Sequence, residues 1–245
     1  MTMTKTKMLT ASALGFSLLL GGTAYSVNAA STNSNAKVNF KSDETGTTKP
    51  TDPTNPGDEF TPEETPDPTT GSLRIDFASS LDFGEQTISG EAKDYFAKFT
   101  KGTNSTGADR FVPNFVQVTD NSGKNAGWTL EVSGSEFKNG DAVLEGAELT
   151  LSGTTLASTM DSKFKPETVM DNIVVGNSNQ TVVGAKAEQG MGTWTAAFGN
   201  ESGTSATDTN KNVKLHVPAE TKKVEGTYTS TLTWTLTAGP TTPGL

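Results

Sequence analysis

The 245-residue chain has no cysteine and only one histidine. No disulfide can brace the fold, so a hydrophobic core must hold it together. Thiol catalysis, cysteine-ligated zinc and lipid attachment through a cysteine all lack their residue. His216, between Leu215 and Val217, is expected on the polar face of a strand. No G-x-S-x-G elbow accompanies it. Acids are plentiful, but nothing in their spacing pairs two of them for glycoside cleavage. No D-x-D-x-D-G run marks a calcium loop. The expectation is a protein that is not an enzyme and that uses no metal or cofactor.

Positive charge is also scarce: 19 basic residues stand against 28 acids, a net charge of −9. Such a chain repels nucleic acid and anionic lipid. Helix-period patterns are nearly absent, with one ambiguous stretch, E-A-K-D-Y-F-A-K-F from Glu91 to Phe99. It reads as a candidate short helix.

Long apolar runs are missing except for one. Met8 to Leu20 follows Lys5 and Lys7 and is succeeded by small residues. This pattern predicts a signal peptide over residues 1–29, cleaved between Ala29 and Ala30. Loss of Lys5 and Lys7 would make the mature chain still more acidic. No later run is long enough to span a membrane, and the final T-A-G-P-T-T-P-G-L lacks the features of a covalent wall-sorting signal. The mature protein is therefore expected to be secreted, with no membrane span, and released or held at the surface non-covalently.

Residues 30–70 are poor in apolar side chains. Pro50, Pro53, Pro56, Pro62, Pro66 and Pro68 make up more than half of the 11 prolines, and acids outnumber lysines. Such a segment buries too little surface to offset its ordering entropy. It is predicted to be a disordered, acidic, Pro-rich tail.

From Gly71 to Leu245 the composition changes. S-L-R-I-D-F-A alternates through Leu73, Ile75 and Phe77. Phe115–Val118 is apolar, and G-W-T-L-E-V-S places Trp128, Leu130 and Val132 on one strand face. A-E-L-T-L-S, I-V-V, T-V-V, T-W-T-A-A-F and N-V-K-L-H-V-P come next. Near the end, Y-T-S-T-L-T-W-T-L-T carries threonine at every second position from Thr229 to Thr237. Tyr228, Leu232, Trp234 and Leu236 fall on its other face. Residues 155–212 are polar and predict long surface loops with one or two strands, and Trp194 is expected in a satellite cluster beneath one of them. The fold expected is all-β: a single sandwich or irregular barrel domain at 71–245.

Two segments share a pattern, G-W-T-L at Gly127–Leu130 and T-W-T-L at Thr233–Leu236. The second lies in a Tyr228-x-x-x-Leu232-Thr233-Trp234-x-Leu236 setting. L-D-F-G at Leu81–Gly84, V-Q-V-T-D at Val116–Asp120 and G-M-G-T-W at Gly190–Trp194 accompany them. Together these motifs resemble the WxL-domain surface proteins of low-GC Gram-positive bacteria, over roughly residues 70–240. The resemblance implies an extracellular, cell-wall-associated protein attached non-covalently to peptidoglycan. It also implies companion surface proteins as partners, and adhesion as the outcome. Trp128, Leu130, Trp234 and Leu236 are the candidate wall-binding residues. Two readings stay open for them: core residues, or rings stacked on sugar. An alternative function is an assembly subunit that takes a partner's strand at an open sheet edge. A host-matrix adhesin, acting through the 155–212 loops, is a further alternative.

Overall fold

The structure is a computed structural model and describes residues 30–240. The expected leader and its cleavage position after Ala29 lie outside the described residues. Residues 30–39 belong to a unit of their own and form no helix or strand. Every described strand lies in the unit that begins at Phe40.

This unit is all-β, as its alternating runs predict. In chain order its first strands are β1 (Thr51–Asp52), β2 (Asn55–Pro62), β3 (Leu73–Ala78), β4 (Lys93–Lys98), β5 (Thr100–Asn104) and β6 (Asp109–Val112). Next come β7 (Phe115–Asp120), β8 (Trp128–Gly134), β9 (Lys138–Asn139), β10 (Ala142–Val143), β11 (Glu148–Leu151) and β12 (Thr154–Ala157). The last are β13 (Thr168–Val169), β14 (Ile173–Val175), β15 (Gln180–Ala185), β16 (Gly192–Phe198), β17 (Thr209–Val217) and β18 (Leu232–Ala238).

Among the described residues they form four four-stranded sheets and a two-stranded hairpin, β10-β9. The sheet orders are β1-β2-β5-β6, β14-β11-β17-β4, β12-β16-β7-β3 and β13-β15-β8-β18. The last three share one core. It joins Ile75, Val116, Val118, Trp194 and Ala196 to Trp128, Leu130, Val132, Val183 and Ala185, and to Leu149, Leu151, Ile173 and Val213.

The fourth sheet covers the outside of β3 and β7. Phe60 from β2 and Val112 from the end of β6 pack on Phe77, Phe115 and Ala197 in a second cluster. The β3–β7 register shifts between Ile75 and Phe77. The shift leaves Ile75 facing the main core while Phe77 joins the outer cluster. With Val116 and Val118 in the main core, Phe115 in the outer cluster and Gln117 under the segment at Lys49 and Thr51, β7 is buried along its whole length, on both faces.

Four sequence expectations are corrected. The first concerns the Pro-rich tail. Residues 30–39 carry no regular structure, but Thr51–Asp52 and Asn55–Pro62 are paired strands. Composition misses them because a single apolar side chain, Phe60, anchors the segment, while its backbone is satisfied by partners far away in sequence. Folded structure therefore begins well before Gly71.

Second, Glu91–Phe99 holds a strand, β4, paired with β17; sheet pairing overrides its local helical composition. Third, residues 155–212 are not mainly loops. Strands β13 to β16 lie wholly within them, and Trp194, in β16, sits in the main core rather than in a satellite cluster. Small and polar residues suffice here because β16 is central, with neighbours on both sides.

Fourth, the final strand starts at Leu232, later than the threonine alternation suggests. Thr229 makes only an isolated bridge with Lys138. Tyr228 is not on the strand's apolar face. Its hydroxyl accepts a hydrogen bond from the Val224 N–H at 2.9 Å.

Candidate functional site

The two Trp-x-Leu segments are neighbours. β18 pairs antiparallel with β8, and the register sets Ala238 opposite Trp128, Leu236 opposite Leu130 and Trp234 opposite Val132. Paired residues of a sheet share a face, so both motifs point their apolar side chains at the same core.

Burial separates the two. Trp128 is 1% exposed and Leu130 0%. The Trp128 indole Nε1 donates to the Gly190 carbonyl at 2.9 Å. Trp234 and Leu236 are only partly buried and lie against the core's rim. The Trp234 ring stacks on Phe198, centroids 6.2 Å apart and planes at 25°. The first motif is thus scaffold, and the second is a half-covered apolar row on an edge strand.

The flanking glycines are explained by the same geometry. Gly127 has φ +76°, and a Cβ on it would lie 2.2 Å from the Ala185 carbonyl oxygen. Gly190 has φ +75°, and its Cβ would lie 2.4 Å from Trp128 Nε1. Both need a left-handed backbone and no side chain. The G-W-T-L and G-M-G-T-W strings are therefore two halves of one seat for Trp128.

A second constellation lies on the outer face of β3 and β7. Asp76 Oδ1 accepts from Arg74 Nε at 3.0 Å. Its Oδ2 accepts from Thr119 Oγ1 at 2.6 Å and Gln117 Nε2 at 3.2 Å. Burial pushes the Asp76 carboxyl above its ordinary value, against the pull of Thr119, Gln117 and Arg74. From this network Gln117 reaches the N-terminal segment. Its amide donates to the Lys49 carbonyl at 3.0 Å and accepts from the Thr51 N–H at 2.9 Å. Arg74 donates to Thr48 Oγ1 at 2.7 Å.

Asp52, 3% exposed, takes a 2.6 Å hydrogen bond from Arg110. Burial opposes its ionisation, yet the hydrogen bonds from Thr54 and Arg110 hold its carboxyl below the usual range. The segment from Thr48 to Pro62 is thus a strap, clamped by polar contacts at one end and by Phe60 at the other. Sequence reasoning missed it. The available signal was the polar alternation of V-Q-V-T within a strand buried on both faces.

Near the end of the motif strands opens a cleft of about 150 Å³. Its lining includes the apolar side chains of Phe137, Leu149, Val175 and Leu232, with Glu136 and Asn177. Phe137 is braced edge-on by Phe83 of the L-D-F-G segment, centroids 6.3 Å apart.

His216 lies half exposed on β17, its Nδ1 2.6 Å from Asp94 Oδ1 on β4. The hydrogen bond from His216, with the nearby Lys214 charge, lowers the Asp94 carboxyl's affinity for protons. Among the described residues no group of three or more His, Asp or Glu side chains is placed to hold a metal ion. Nor is any helix there long and apolar enough to cross a membrane.

A family model described as WxL domain, surface cell wall-binding, matches residues 27–240. No curated protein and no solved structure matches the chain.

Proposed function

The chain belongs to the WxL domain family of surface cell wall-binding proteins, and from that premise we propose that it holds peptidoglycan non-covalently and without catalysis. It is a cell-surface protein, extracellular and wall-associated.

The cleft beside Phe137 carries the reading. Trp128 and Leu130 are sealed in the core and cannot meet a glycan. The cleft offers an aromatic ring, apolar walls, an amide and a carboxylate at the surface. At about 150 Å³ it is smaller than the ~300 Å³ at which pockets for free small molecules begin. It suits one substituent of a polymer, such as an acetamido group, with its methyl on Phe137 and its amide toward Asn177. The acidic chain is a poor match for simple charge attraction to wall phosphates.

The test is co-sedimentation with sacculi stripped of protein and teichoic acid. The chain is expected in the pellet across a wide salt range, and Phe137→Ala with Asn177→Ala is expected to weaken pelleting tenfold or more without loss of fold. A chain that stays in the supernatant at every salt and pH would sink the reading.

One observation favours a second role, assembly by strand addition. β18 is an edge strand of seven residues, L-T-W-T-L-T-A, without a single charge. Edge strands are ordinarily protected by charge, proline or short length.

A further inference from the structure

We propose that the occupant of the β18 edge is the N-terminal segment Ala36–Lys41 of a second copy of this chain, added as a strand.

The acceptor's geometry is set by two bonds. Gly239 N–H donates to the Gly127 carbonyl at 2.8 Å, and Ser135 N–H to the Thr231 carbonyl at 3.0 Å. These fix the phase of the β8–β18 ladder. The odd residues Thr233, Thr235 and Thr237 exchange bonds with β8. The N–H and C=O groups of Leu232, Trp234, Leu236 and Ala238 point the other way. β3 comes close to β18 but pairs with β7, and its Ile75 N–H bonds to Thr69 Oγ1 at 2.8 Å. The even residues of β18 therefore combine backbone groups that the β8 ladder does not use with side chains that complete the core only partly.

The donor matches in pattern. The segment reads A-K-V-N-F-K, with apolar side chains at Ala36, Val38 and Phe40 and polar ones between. That is strand alternation, yet the segment forms no strand. Val38 is 72% and Phe40 87% exposed, the two most exposed large hydrophobic residues among the described residues. Three apolar residues at two-residue spacing match the row Leu232, Trp234 and Leu236. Placed beside β18, they would extend the core face, while Lys37, Asn39 and Lys41 would continue the face of Thr233, Thr235 and Thr237.

Charge favours the same pairing. Between residues 30 and 42 the charged residues are Lys37 and Lys41, whereas all 28 acids come after residue 42. The donor segment is cationic and the body that would receive it is acidic, which steers the encounter. A strand exchanged between identical chains is a low-cost route to dimers and larger assemblies.

Strand exchange does not depend on wall binding, and its test keeps the two apart. The absence of native cysteine lets introduced thiols report contacts without background. Chains carrying Asn39→Cys and Thr235→Cys, both on polar positions, are mixed under mild oxidation. A disulfide-linked pair is expected. Sedimentation equilibrium is expected to show self-association that Val38→Asp with Phe40→Asp weakens tenfold or more. Near-UV dichroism and pelleting with sacculi should be unchanged in that variant. Three results would each overturn the proposal: a monomer at every concentration, a disulfide formed only within one chain that carries both thiols, or linkage only to a different surface protein.

Discussion

Leu130 of β8 and Leu236 of β18 stand opposite each other as a non-hydrogen-bonded antiparallel pair. In such pairs the Cα atoms approach most closely, at ~4.5 Å, and the side chains touch. Each leucine belongs to one Trp-x-Leu motif. Their pairing makes the two motifs one structural device, in which β8 is the sealed member and β18 the open one.

That asymmetry predicts unequal costs. Leu130→Ala removes a fully buried side chain and is expected to destabilise the fold by about 2–5 kcal/mol, and Trp128→Ala by about 3–5 kcal/mol. Trp234→Ala and Leu236→Ala remove half-covered side chains and should each cost less than their counterparts on β8. Urea unfolding followed by circular dichroism measures the order. Equal losses for Trp128 and Trp234 would contradict the distinction.

The seat of Trp128 gives a sharper test. Gly190→Ala places a methyl against the indole it hydrogen-bonds and forces a residue with a side chain to hold φ +75°. Gly140, with φ +57°, has no atom within 4 Å of its hypothetical Cβ. Gly140→Ala is therefore expected to show only the backbone cost, about 1–2 kcal/mol, and Gly190→Ala substantially more. The Trp128 indole N–H resonance should shift in the second variant only.

The strap should detach without unfolding the core. Gln117→Ala strips the partners from the Thr51 N–H and the Lys49 carbonyl, and Phe60→Ala empties the outer cluster. In both variants the amides of Thr51 and Phe60 are expected to exchange with solvent much faster. Amides in the β8–β15 ladder should keep their protection, because local opening needs only the contacts of the opening unit. Uniform loss across the chain would mean the strap and core fold as one.

The fold class and the core faces of the strands were legible in the alternation itself. Trp128, Leu130 and Val132 fall on one face, as period-two spacing requires. Legibility stopped where stability is not carried by apolar area. The strap has one aromatic residue, and its other attachments are the β2–β5 backbone ladder and polar bonds from Gln117, Arg74 and Arg110, which composition cannot register. The tryptophans were legible as a pair, but not their unequal burial. That depends on which strand ends a sheet, a property of topology that neither W-T-L string contains. The Phe137 cleft was invisible for a similar reason, since Phe137, Val175 and Leu232 meet only after three separate segments have been placed.

Acid should release the strap through Asp52. Its hydrogen bonds to Thr54 and Arg110 keep the folded carboxyl below the ~3.9 of an unfolded aspartate. The contribution is therefore fully present above the unfolded value and is lost as pH falls through the lowered, folded one. Asp76 acts in the opposite sense. Burial raises its carboxyl, so the cost of its charge is relieved as pH falls, and it cannot be the source of acid lability. Protection of the Thr51 and Phe60 amides, followed from about pH 6 downward, is expected to fall as Asp52 takes up its proton, ahead of the β8 amides. Asp52→Asn should lower that protection already at the starting pH and flatten its response to acid. A strap that keeps its full acid response in Asp52→Asn would shift the assignment to another carboxylate.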